Sequence, residues 1–342
     1  MSQKSSISSA LKSILENAFN AREDLFDAKH QTALRLFNGF TEGEPNLAID
    51  LYAQTALIHN YAEPPLEGWE AVETAQSLIR ERLPWVRCII VKTRSGQGAE
   101  EKQGRVLTGT KPDDRIREHG VWYALDLMMN RDASLYLDTR NLRHWAIKNL
   151  SGKTVLNTFA YTGSLGVAAK AGGAARVVQL DLNRSFLNIA KTSYTLNGFQ
   201  IDKNDFQAAD FWPQVSHFKR NHESFDCVFL DPPFFASTPK GRLDLQTDSR
   251  RLINKVRPLI NDGGILVAIN NAIFLSGQEY MHTLESLCAD GYMHIESLIP
   301  IPEDFTGYAQ TRKGDLPVDP TPFNHATKIA ILRLRRKTAI KS

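Results

Sequence analysis

From about residue 141 onward, short apolar runs of strand character alternate with longer segments of helical character, and this alternation constrains the fold more than any other feature. The predicted strands cover residues 154–156, 176–181, 205–209, 226–230, 264–270, 294–301 and 328–334. Parallel strands cannot be joined by a tight turn and need a crossover, which is usually a helix. The pattern therefore predicts an α/β fold with a Rossmann-like, doubly wound, mostly parallel sheet.

The residues before this domain follow other patterns and divide into three predicted parts. Residues 1–37 place apolar side chains at helical spacing and predict an N-terminal helical segment. Residues 38–120 contain strand-like runs around one helix and predict a small α/β domain. Two short β runs within residues 121–140 predict a β-hairpin connector to the Rossmann-like domain, which spans residues 141–342.

The composition is that of a globular protein. Hydrophobic residues make up 42% of the chain, and no apolar run approaches the ~20 residues of a membrane helix. The first residues lack the apolar core of a secretion signal. Three cysteines without a C-x-x-C spacing predict neither a disulfide framework nor a metal site. We therefore expect a cytoplasmic protein without a membrane or metal partner, whose net charge of +3 permits a nucleic-acid partner without requiring one.

Four features fall at the carboxyl ends of predicted strands, where open α/β sheets bind their ligands. The turn after the first strand contains Gly163, and small residues there let the backbone approach a ligand closely. Asp181 ends the second strand and can accept both hydroxyls of a ribose. Asp210 follows the third strand and can accept the exocyclic amine of adenine, and Asp231 follows the fourth. Asp181 and Asp210 could instead cap the helix that comes next.

The turn after the first strand also narrows the choice of cofactor. A nicotinamide enzyme usually carries G-x-G-x-x-G there, whereas this chain has only Gly163 and Gly166. S-adenosylmethionine fits better because it has no pyrophosphate to be held by the glycine-rich backbone. The candidate cofactor-binding residues in this sheet are Asn157, Phe159, Tyr161, Thr162, Gly163, Asp181, Asp210 and Asp231.

The run Asp231-Pro232-Pro233-Phe234-Phe235 indicates the chemistry. Two prolines fix the backbone and lack N–H groups, which leaves the Asp231 carboxylate and the Pro232 carbonyl as rigid acceptors. Phe234 or Phe235 can stack on a heterocycle held out of its helix. Methyl transfer from a sulfonium needs mainly proximity and orientation, so no strong base is required. The run predicts methyl transfer to a planar nitrogen heterocycle, with a strand terminator followed by core aromatics as the structural alternative.

Residues 46–52, 91–94, 135–140 and 157–163, together with the Asp-Pro-Pro-Phe run, resemble the class I S-adenosylmethionine-dependent methyltransferases of bacterial large-subunit ribosomal RNA. The resemblance covers about residues 10–335. Two groups of relatives share it: cytosine-C5 enzymes with an N-terminal PUA domain, and the guanine-N7 domain of a bifunctional enzyme. The resemblance implies RNA, in particular ribosomal RNA, as the partner, and RNA binding by the small α/β domain.

The segment 136–140 precedes the sheet and is expected to fold over the cofactor. It adds Tyr136, Asp138 and Arg140 to the cofactor-binding candidates, although Arg140 could instead pair with an aspartate of the scaffold.

Two departures from the cytosine-C5 relatives matter. No PUA domain is expected before residue 10, and the cysteine nucleophile that those enzymes carry just after the fifth strand is replaced here by Asn270-Asn271. The guanine-N7 relatives look similar at this point. We therefore expect a nitrogen target, guanine N7 or an exocyclic amine, with Asp231, Pro232, Phe234 and Asn270 in catalytic roles. Cytosine-C5 methylation and a non-catalytic RNA-binding assembly factor stay as alternatives.

Two segments carry the predicted substrate contacts. The segment after the proline pair holds Lys240 and Arg242, which can meet phosphate near the reacting base. The insertion at residues 302–325 mixes aromatic and basic side chains, which suits looped RNA, although an ordinary exposed loop is the alternative. The predicted substrate-binding residues are Phe235, Lys240, Arg242, Asn271, Arg312, Phe323 and His325.

Overall fold

The computed structural model describes residues 2–96, 98–130, 132–233, 235–238, 241–314, 316 and 318–336. The chain divides into two compact units: unit 1 is Met1–Leu137 with Pro302–Leu316, and unit 2 is Asp138–Ile301 with Pro317–Ser342. The helices are α1 (Ser2–Asn20), α2 (Gly39–Glu42), α3 (Trp69–Arg82), α4 (Ala99–Gln103), α5 (Arg140–Asn149), α6 (Ser164–Ala171), α7 (Arg184–Leu196), α8 (Phe211–Arg220), α9 (Leu245–Val256), α10 (Gly277–Cys288) and α11 (Glu303–Thr306). The strands are β1 (Ala33–Asn38), β2 (Leu47–Tyr52), β3 (Thr55–Asn60), β4 (Cys88–Thr93), β5 (Arg105–Thr108), β6 (Arg115–Glu118), β7 (Val121–Ala124), β8 (Thr154–Thr158), β9 (Arg176–Asp181), β10 (Phe206–Ala208), β11 (Phe225–Leu230), β12 (Phe235–Thr238), β13 (Gly241–Asp244), β14 (Ile260–Asn270), β15 (Met293–Leu298) and β16 (Lys328–Leu334).

Unit 2 is built on a seven-stranded sheet in the order β10-β9-β8-β11-β14-β16-β15. The strands from β10 to β14 run parallel to one another, and β16 is antiparallel to both of its neighbours. Strands β8 and β11 are adjacent although β9 and β10 lie between them in the chain, so the strand order reverses there. This architecture confirms the Rossmann-like α/β fold predicted from the alternation of strands and helices.

The strands of this sheet are apolar because helices cover a parallel sheet on both faces. In β11, Cys227, Val228 and Phe229 are completely buried. Strand β14 begins at Ile260, several residues before the start predicted from sequence. Its pairing with β11 contains a register irregularity that absorbs the extra residues, and Gly263 adopts the left-handed backbone conformation (φ 69°) within it.

Unit 1 is built on a five-stranded sheet in the order β1-β2-β3-β4-β5. Strands β3 and β4 are parallel and are connected through α3, whereas the other neighbouring pairs are antiparallel. Helices α1 and α3 contribute Leu15, Phe19, Leu78 and Ile79 to the core that covers the sheet. The strands and the helix that the sequence indicates for a small α/β domain lie within residues 38–120, whereas β1 of the same sheet precedes them.

The predicted helical segment 1–37 is helical only in its first part. Helix α1 ends at Asn20, and residues 33–38 form strand β1 instead. A register shift between Arg35 and Phe37 interrupts the alternation of this strand, so that Leu34 and Phe37 are both buried at a spacing that also fits a helix. The spacing alone cannot separate these two structures.

The β-hairpin expected within residues 121–140 has a different partner. Strand β7 pairs with β6, which precedes it, and residues 134–137 are not a strand. The turn between β6 and β7 consists of His119 (φ 51°) and Gly120 (φ 83°). Two consecutive residues with positive φ form a tight turn that matches the right-handed twist of the two flanking strands. The dipeptide His119-Gly120 was therefore the sequence signal for the β6–β7 hairpin.

Residues 302–316 follow a strand of unit 2 in the chain but lie in unit 1, where α11 packs on β1. The Asp304 carboxylate accepts the backbone N–H of Arg35 (2.9 Å), and Asn38 Nδ2 donates to the Phe305 carbonyl (2.5 Å). The Arg35 guanidinium lies 4.3 Å from the centroid of the Phe305 ring. These contacts fasten the segment to the sheet of unit 1.

Within the described part of the chain, no helix is long and apolar enough to cross a membrane, and no cluster of His, Cys, Asp and Glu side chains could hold a metal ion.

Candidate active site

The candidate site lies at the carboxyl ends of β8, β9, β10 and β11 in unit 2. These four strands are neighbours and parallel, so the residues that follow them meet at one edge of the sheet. The structure thus brings together Asp181, Asp210, Asp231 and the turn that contains Gly163. The edge includes the reversal of strand order between β8 and β11, which is where open α/β sheets form their ligand crevice.

The turn after β8 has an unusual backbone. Phe159 (φ 53°), Tyr161 (φ 51°) and Gly163 (φ 77°) all adopt the left-handed conformation. Such a conformation costs about 1–3 kcal/mol for a residue other than glycine and persists only where its surroundings enforce it. Here the Asp181 carboxylate accepts the N–H of Tyr161 (2.8 Å), and the Phe159 ring stacks on Phe211 with centroids 4.6 Å apart.

The glycines of this turn serve packing within the protein. A Cβ at Gly166 would lie 2.1 Å from Nε2 of Gln179, and one at Gly163 would lie 2.5 Å from the Cβ of Ala190. Gln179 is completely buried, accepts from Asn157 Nδ2 (2.8 Å) and donates to the Gly163 carbonyl (3.2 Å). Asn157, expected to contact a cofactor, is thus engaged in holding the turn, and the buried Thr162 belongs to the same turn.

Asp181 presents its carboxylate in a fixed orientation. Its Oδ2 accepts the N–H of Tyr161 and its Oδ1 accepts the N–H of Asn183, each at 2.8 Å. Burial raises the pKa of Asp181 above its ordinary value, and these two hydrogen bonds counteract the rise. Each oxygen keeps a second lone pair, so the carboxylate can still accept two hydroxyls of a ligand.

Leu182, directly after Asp181, is not among the residues that the sequence predicts for the site. Its side chain is 69% exposed, which is high for a large apolar residue at the edge of a buried sheet. It offers an apolar surface beside the carboxylate for a flat ring. The sequence signal for this exposed leucine was its position between a strand-end aspartate and the helix cap Asn183, where a polar residue is expected.

Asp210 caps α8. Its Oδ1 accepts the N–H of Trp212 at 2.8 Å, which is the capping role considered as the alternative from sequence. Its other oxygen has no hydrogen bond to the residues that the structure describes, so capping leaves it able to accept an amine.

Asp231 differs from these two aspartates because its carboxylate has no hydrogen bond within the described ranges. Burial, and then the negative charge of Asp138, raise the pKa of Asp231 to about 7. Asp138 itself accepts from Thr327 Oγ1 at 2.9 Å. Pro232 is buried and Pro233 is exposed, so the backbone after Asp231 is rigid and turns toward solvent. A desolvated carboxylate without a partner is suited to receive donors from a ligand.

The end of β14 forms a second wall. Asn270 is completely buried; its Nδ2 donates to Ser249 Oγ (3.0 Å) and its Oδ1 accepts the N–H of Ala272 (2.9 Å). The buried Lys328 donates to the Ala272 carbonyl (2.9 Å), and burial lowers its pKa to about 8. Asn270 therefore shapes the turn, and the catalytic contact expected of it would require these bonds to be exchanged.

Asn271 is the more open of the pair. Its Oδ1 is buried and has no hydrogen bond partner in the described part of the chain, so it can accept from a ligand. Ile273 and Phe274 follow it, are 50% and 64% exposed, and were not selected from the sequence. In the sequence, two large apolar residues soon after Asn271 at the end of a strand were the signal for an apolar surface beside the site.

The other predicted site residues are placed as follows. Tyr136 and Arg312 belong to unit 1, where the Tyr136 hydroxyl donates to Asp132 (3.3 Å) and Arg312 donates to the Gly307 carbonyl (3.1 Å). Arg140 is the first residue of α5. Phe234 and Lys240 lie outside the described residues. Phe235 and Arg242 lie on β12 and β13, and only the backbone is described there.

The insertion at 302–325 is divided between the two units, with residues 302–316 in unit 1 and the rest in unit 2. Phe323 is 8% exposed and packs in the core of unit 2 with its ring centroid 5.8 Å from that of Tyr280. This burial conflicts with the substrate contact expected of Phe323. His325 Nδ1 accepts the N–H of Thr327, which orders the approach to β16.

A prediction for Asp181 follows from its two free lone pairs. We expect Asp181→Ala to weaken the binding of S-adenosylmethionine by at least about 100-fold, because two hydrogen bonds to a charged group are lost. Isothermal titration calorimetry measures the effect. Asp202→Ala is the matched control, since Asp202 also accepts a backbone N–H (Asn204, 2.9 Å) but precedes β10 at its amino end. Equal affinities of wild type and Asp181→Ala, with unchanged melting temperatures, would contradict this role.

The chain is similar to known methyltransferases in sequence and in fold. A model of the S-adenosylmethionine-dependent methyltransferase family matches residues 94–306. The ribosomal RNA large subunit methyltransferase K/L of Colwellia psychrerythraea is 34% identical over 247 residues, which are 70% of this chain and 34% of that protein, so the chain spans about a third of this relative. YwbD of Bacillus subtilis, provisionally named a ribosomal RNA large subunit methyltransferase, is 31% identical over 308 residues, covering 85% of this chain and 74% of YwbD. The crystal structure of SMU.776 complexed with S-adenosylhomocysteine superimposes with a TM-score of 0.82 at 22% identity, covering 96% of this chain and 82% of that one.

Proposed function

The chain belongs to the S-adenosylmethionine-dependent methyltransferase family, and from this premise we propose that it methylates a base nitrogen of large-subunit ribosomal RNA. The observation that carries the proposal is the desolvated Asp231 carboxylate, which has no hydrogen bond in the described ranges and is followed by Pro232 and Pro233. The preferred target is guanine N7, and an exocyclic amine is the alternative nitrogen.

The residues at the sheet edge fit the cofactor. Asp181 has lone pairs for two ribose hydroxyls, Leu182 offers an apolar surface for the adenine ring, and Asp210 has a free oxygen for its amine. When bound, S-adenosylmethionine supplies an activated methyl group on a sulfonium. The carboxylate of Asp138, which lies close enough to Asp231 to raise its pKa, favours this positive charge.

Asp231 is proposed to orient the base. On guanine, the ring N–H and the exocyclic amine lie side by side, and a carboxylate can accept from both. That arrangement directs the opposite edge, with N7, toward a methyl donor, whereas a shifted base would present its amine. Guanine N7 attacks with its own lone pair and loses no proton, so the protein acts there by positioning alone. An exocyclic amine also loses one proton as the N–C bond forms and the S–C bond breaks, and the Asp231 carboxylate beside it accepts that proton.

The cysteines support a nitrogen target over cytosine C5. Carbon methylation needs a thiolate nucleophile, and thiolates form where the pKa of the thiol is low. Burial raises the pKa of Cys88 and of Cys227, and both side chains are buried within strands. Cys288 ends α10, a helix that starts after β14 and leads away from the site edge, and burial raises its pKa too.

Ribosomal RNA as the substrate rests on the relatives, whose names state it for those proteins. The test compares the modified nucleosides of ribosomal RNA from wild-type and gene-deletion strains by mass spectrometry. We expect one methylguanosine to disappear and to return with a plasmid copy of the gene but not with its Asp231→Ala form. Loss of a C5-methylcytidine would overturn the nitrogen assignment, and an unchanged nucleoside profile would overturn ribosomal RNA as the substrate.

A further inference from the structure

Unit 1 carries an open cavity of ≈ 560 Å³ that belongs to none of the site described above. We call it the unit 1 groove and define it by Lys29, Gln54, Arg87, Lys111, Arg115 and Trp122, which line it. Its walls come from the segment before β1, the β2–β3 turn, the start of β4, the β5–β6 loop and the β6–β7 hairpin. All of these residues lie in unit 1.

The unit 1 groove is cationic. Lys29, Arg87, Lys111 and Arg115 face it, against the carboxylates of Asp113 and Asp114. The Arg87 side chain is 69% exposed and that of Lys111 is 80% exposed, and each lies beside a carboxylate: Arg87 3.0 Å from Asp113 and Lys111 3.9 Å from Asp114. Lys29 makes no side-chain ion pair or hydrogen bond within the described ranges.

One of the two carboxylates is already occupied by the scaffold. Asp113 Oδ2 accepts from the Gln54 N–H (3.0 Å) and from Thr55 Oγ1 (2.8 Å), and its Oδ1 accepts from Arg87 (3.0 Å). The Thr55 hydroxyl in turn accepts the N–H of Asp113 (2.8 Å). These bonds hold the β5–β6 loop on the sheet, so the floor of the groove is preformed.

An aromatic ring lies among the cations. On the β6–β7 hairpin, Arg117 is directly opposite Trp122, and Arg115 is on the same face two residues away. Their guanidinium carbons lie 5.6 Å and 5.4 Å from the centroid of the Trp122 ring. The Trp122 ring, partly exposed beside these two cations, offers an aromatic surface on which a base can stack.

Charge is segregated within unit 1. The cavity along α3 is lined by Glu67, Glu70, Glu73 and Glu81 with Lys12 as its one cation among the described lining residues. The unit 1 groove therefore concentrates positive charge that the cavity along α3 does not share. Exposed cations around an aromatic ring match a strand of nucleic acid, whose phosphates are regularly spaced and whose bases stack.

We infer that the unit 1 groove binds a single-stranded or looped segment of RNA, with Lys29, Lys111 and Arg115 on phosphates and Trp122 stacked on a base. This inference rests on the proposed function, because it takes the partner to be the RNA substrate. It assigns to unit 1 an RNA site of its own, separate from the residues that hold the cofactor and the reacting base.

The test measures RNA binding by the full-length protein. The probe is a fluorescein-labelled single-stranded RNA of mixed sequence, titrated by anisotropy over a range of salt concentrations. We expect Lys29→Ala/Lys111→Ala/Arg115→Ala to reduce the slope of log affinity against log salt by about 2, since each phosphate contact contributes about 0.7 for single strands. If the variant and the wild type bind RNA equally at 1 M salt, this difference in slope makes the variant bind about 40-fold more weakly at 0.15 M salt.

The control removes the same charge elsewhere. Arg80→Ala/Lys148→Ala/Lys203→Ala replaces three exposed cations outside the groove and should leave the slope near that of the wild type. Trp122→Ala should weaken binding about 5- to 150-fold with little change in slope, and Trp122→Phe should restore most of it because a ring can still stack.

The outcomes separate this inference from the proposed function. If the groove variant and the control bind RNA with equal affinity and slope, the inference is overturned whether or not the enzyme methylates ribosomal RNA. Methylation of deproteinised large-subunit ribosomal RNA is measured in parallel, with the groove variant expected to raise KM for RNA and leave KM for S-adenosylmethionine unchanged. Groove-dependent binding by a wild-type protein that methylates no RNA would overturn the proposed function alone.

Discussion

Replacing Asp231 by alanine is expected to lower the rate of methyl transfer to RNA by at least about 100-fold while leaving the affinity for S-adenosylmethionine within a few-fold of the wild type. The reason is geometric: without the carboxylate, only the Pro232 carbonyl is left to accept a donor of the base, and a misplacement of the base by about 1 Å is enough for a loss of this size. Initial rates of methyl incorporation and calorimetry measure the two quantities. A fully active Asp231→Ala enzyme would remove Asp231 from the site.

Two further variants show whether the loss concerns chemistry or folding. Asp231→Asn keeps an accepting carbonyl oxygen and should retain more activity than Asp231→Ala. Asp226→Asn changes the aspartate at the other end of β11, which accepts from the Thr154 N–H (2.8 Å) and from Asn261 Nδ2 (2.9 Å). It should lower stability and leave the rate per folded molecule unchanged.

The pH dependence of the rate gives a second measurement of Asp231. Its pKa is raised to about 7, first by burial and then by the charge of Asp138. Since the ionised form is the better acceptor, kcat/KM for RNA should rise as the pH increases through about 7 and level off above it. Asp138→Asn removes the neighbouring negative charge, which lowers the pKa of Asp231 and moves the rise to lower pH. A rise at the same pH in Asp231→Asn would show that another group titrates.

Replacing Arg22 by alanine is expected to lower the free energy of unfolding of unit 1 by about 3–5 kcal/mol. Arg22 is completely buried and uses all five of its N–H donors. Two bind the Glu42 carboxylate (2.9 and 3.0 Å), and the others bind the carbonyls of Arg35 (2.7 Å), Ala18 (3.0 Å) and Asp304 (2.9 Å). Alanine would leave the buried charge of Glu42 without its counterion and release the residue 302–316 segment from one of its anchors.

Urea unfolding, with hydrogen exchange of the β1 and β2 amides to report on unit 1, measures this loss. The control is Arg82→Ala, whose partly exposed pair with Glu23 (3.6 Å) should contribute only about 0–1 kcal/mol. Arg22→Met combined with Glu42→Leu should destabilise less than Arg22→Ala, because no charge is then left buried alone. If the double variant is the less stable of the two, packing and not charge burial accounts for the effect.

The fold of unit 2 could be predicted because each of its strands can be recognised from residues that are adjacent in the sequence. A strand covered on both faces, such as β11, is a continuous apolar run, and the residues that end it are the next polar ones. Hence Asp181, Asp210 and Asp231 could be assigned to strand ends, and parallel pairing then brings them to one edge.

Other features depended on contacts between residues far apart in the chain. The sequence predicts the same role for Phe323 and Arg312, because both belong to one aromatic and basic insertion. In the structure, Phe323 packs in the core of unit 2, whereas Arg312 lies in unit 1. The sequence predicts that Gly163 lets a ligand approach the backbone, whereas a Cβ at Gly163 would meet Ala190 of α7. The sequence does not predict Leu182 as a site residue, because a single leucine forms no hydrophobic repeat from which its exposure could be inferred.

The sequence by itself determined the α/β class, the identity of the strand-end aspartates and the chemistry that an Asp-Pro-Pro run can support, since all of these depend on residues adjacent in the chain. Only the tertiary structure decided which strand-end groups are already satisfied. Asn270 is held by Ser249 and Ala272, whereas the Asp231 carboxylate has no hydrogen bond among the residues that the structure describes and is subject to burial and to the like charge of Asp138. The physical reason is that hydrogen bonding and desolvation are set by neighbours in space, and these come from segments that the chain order does not place together.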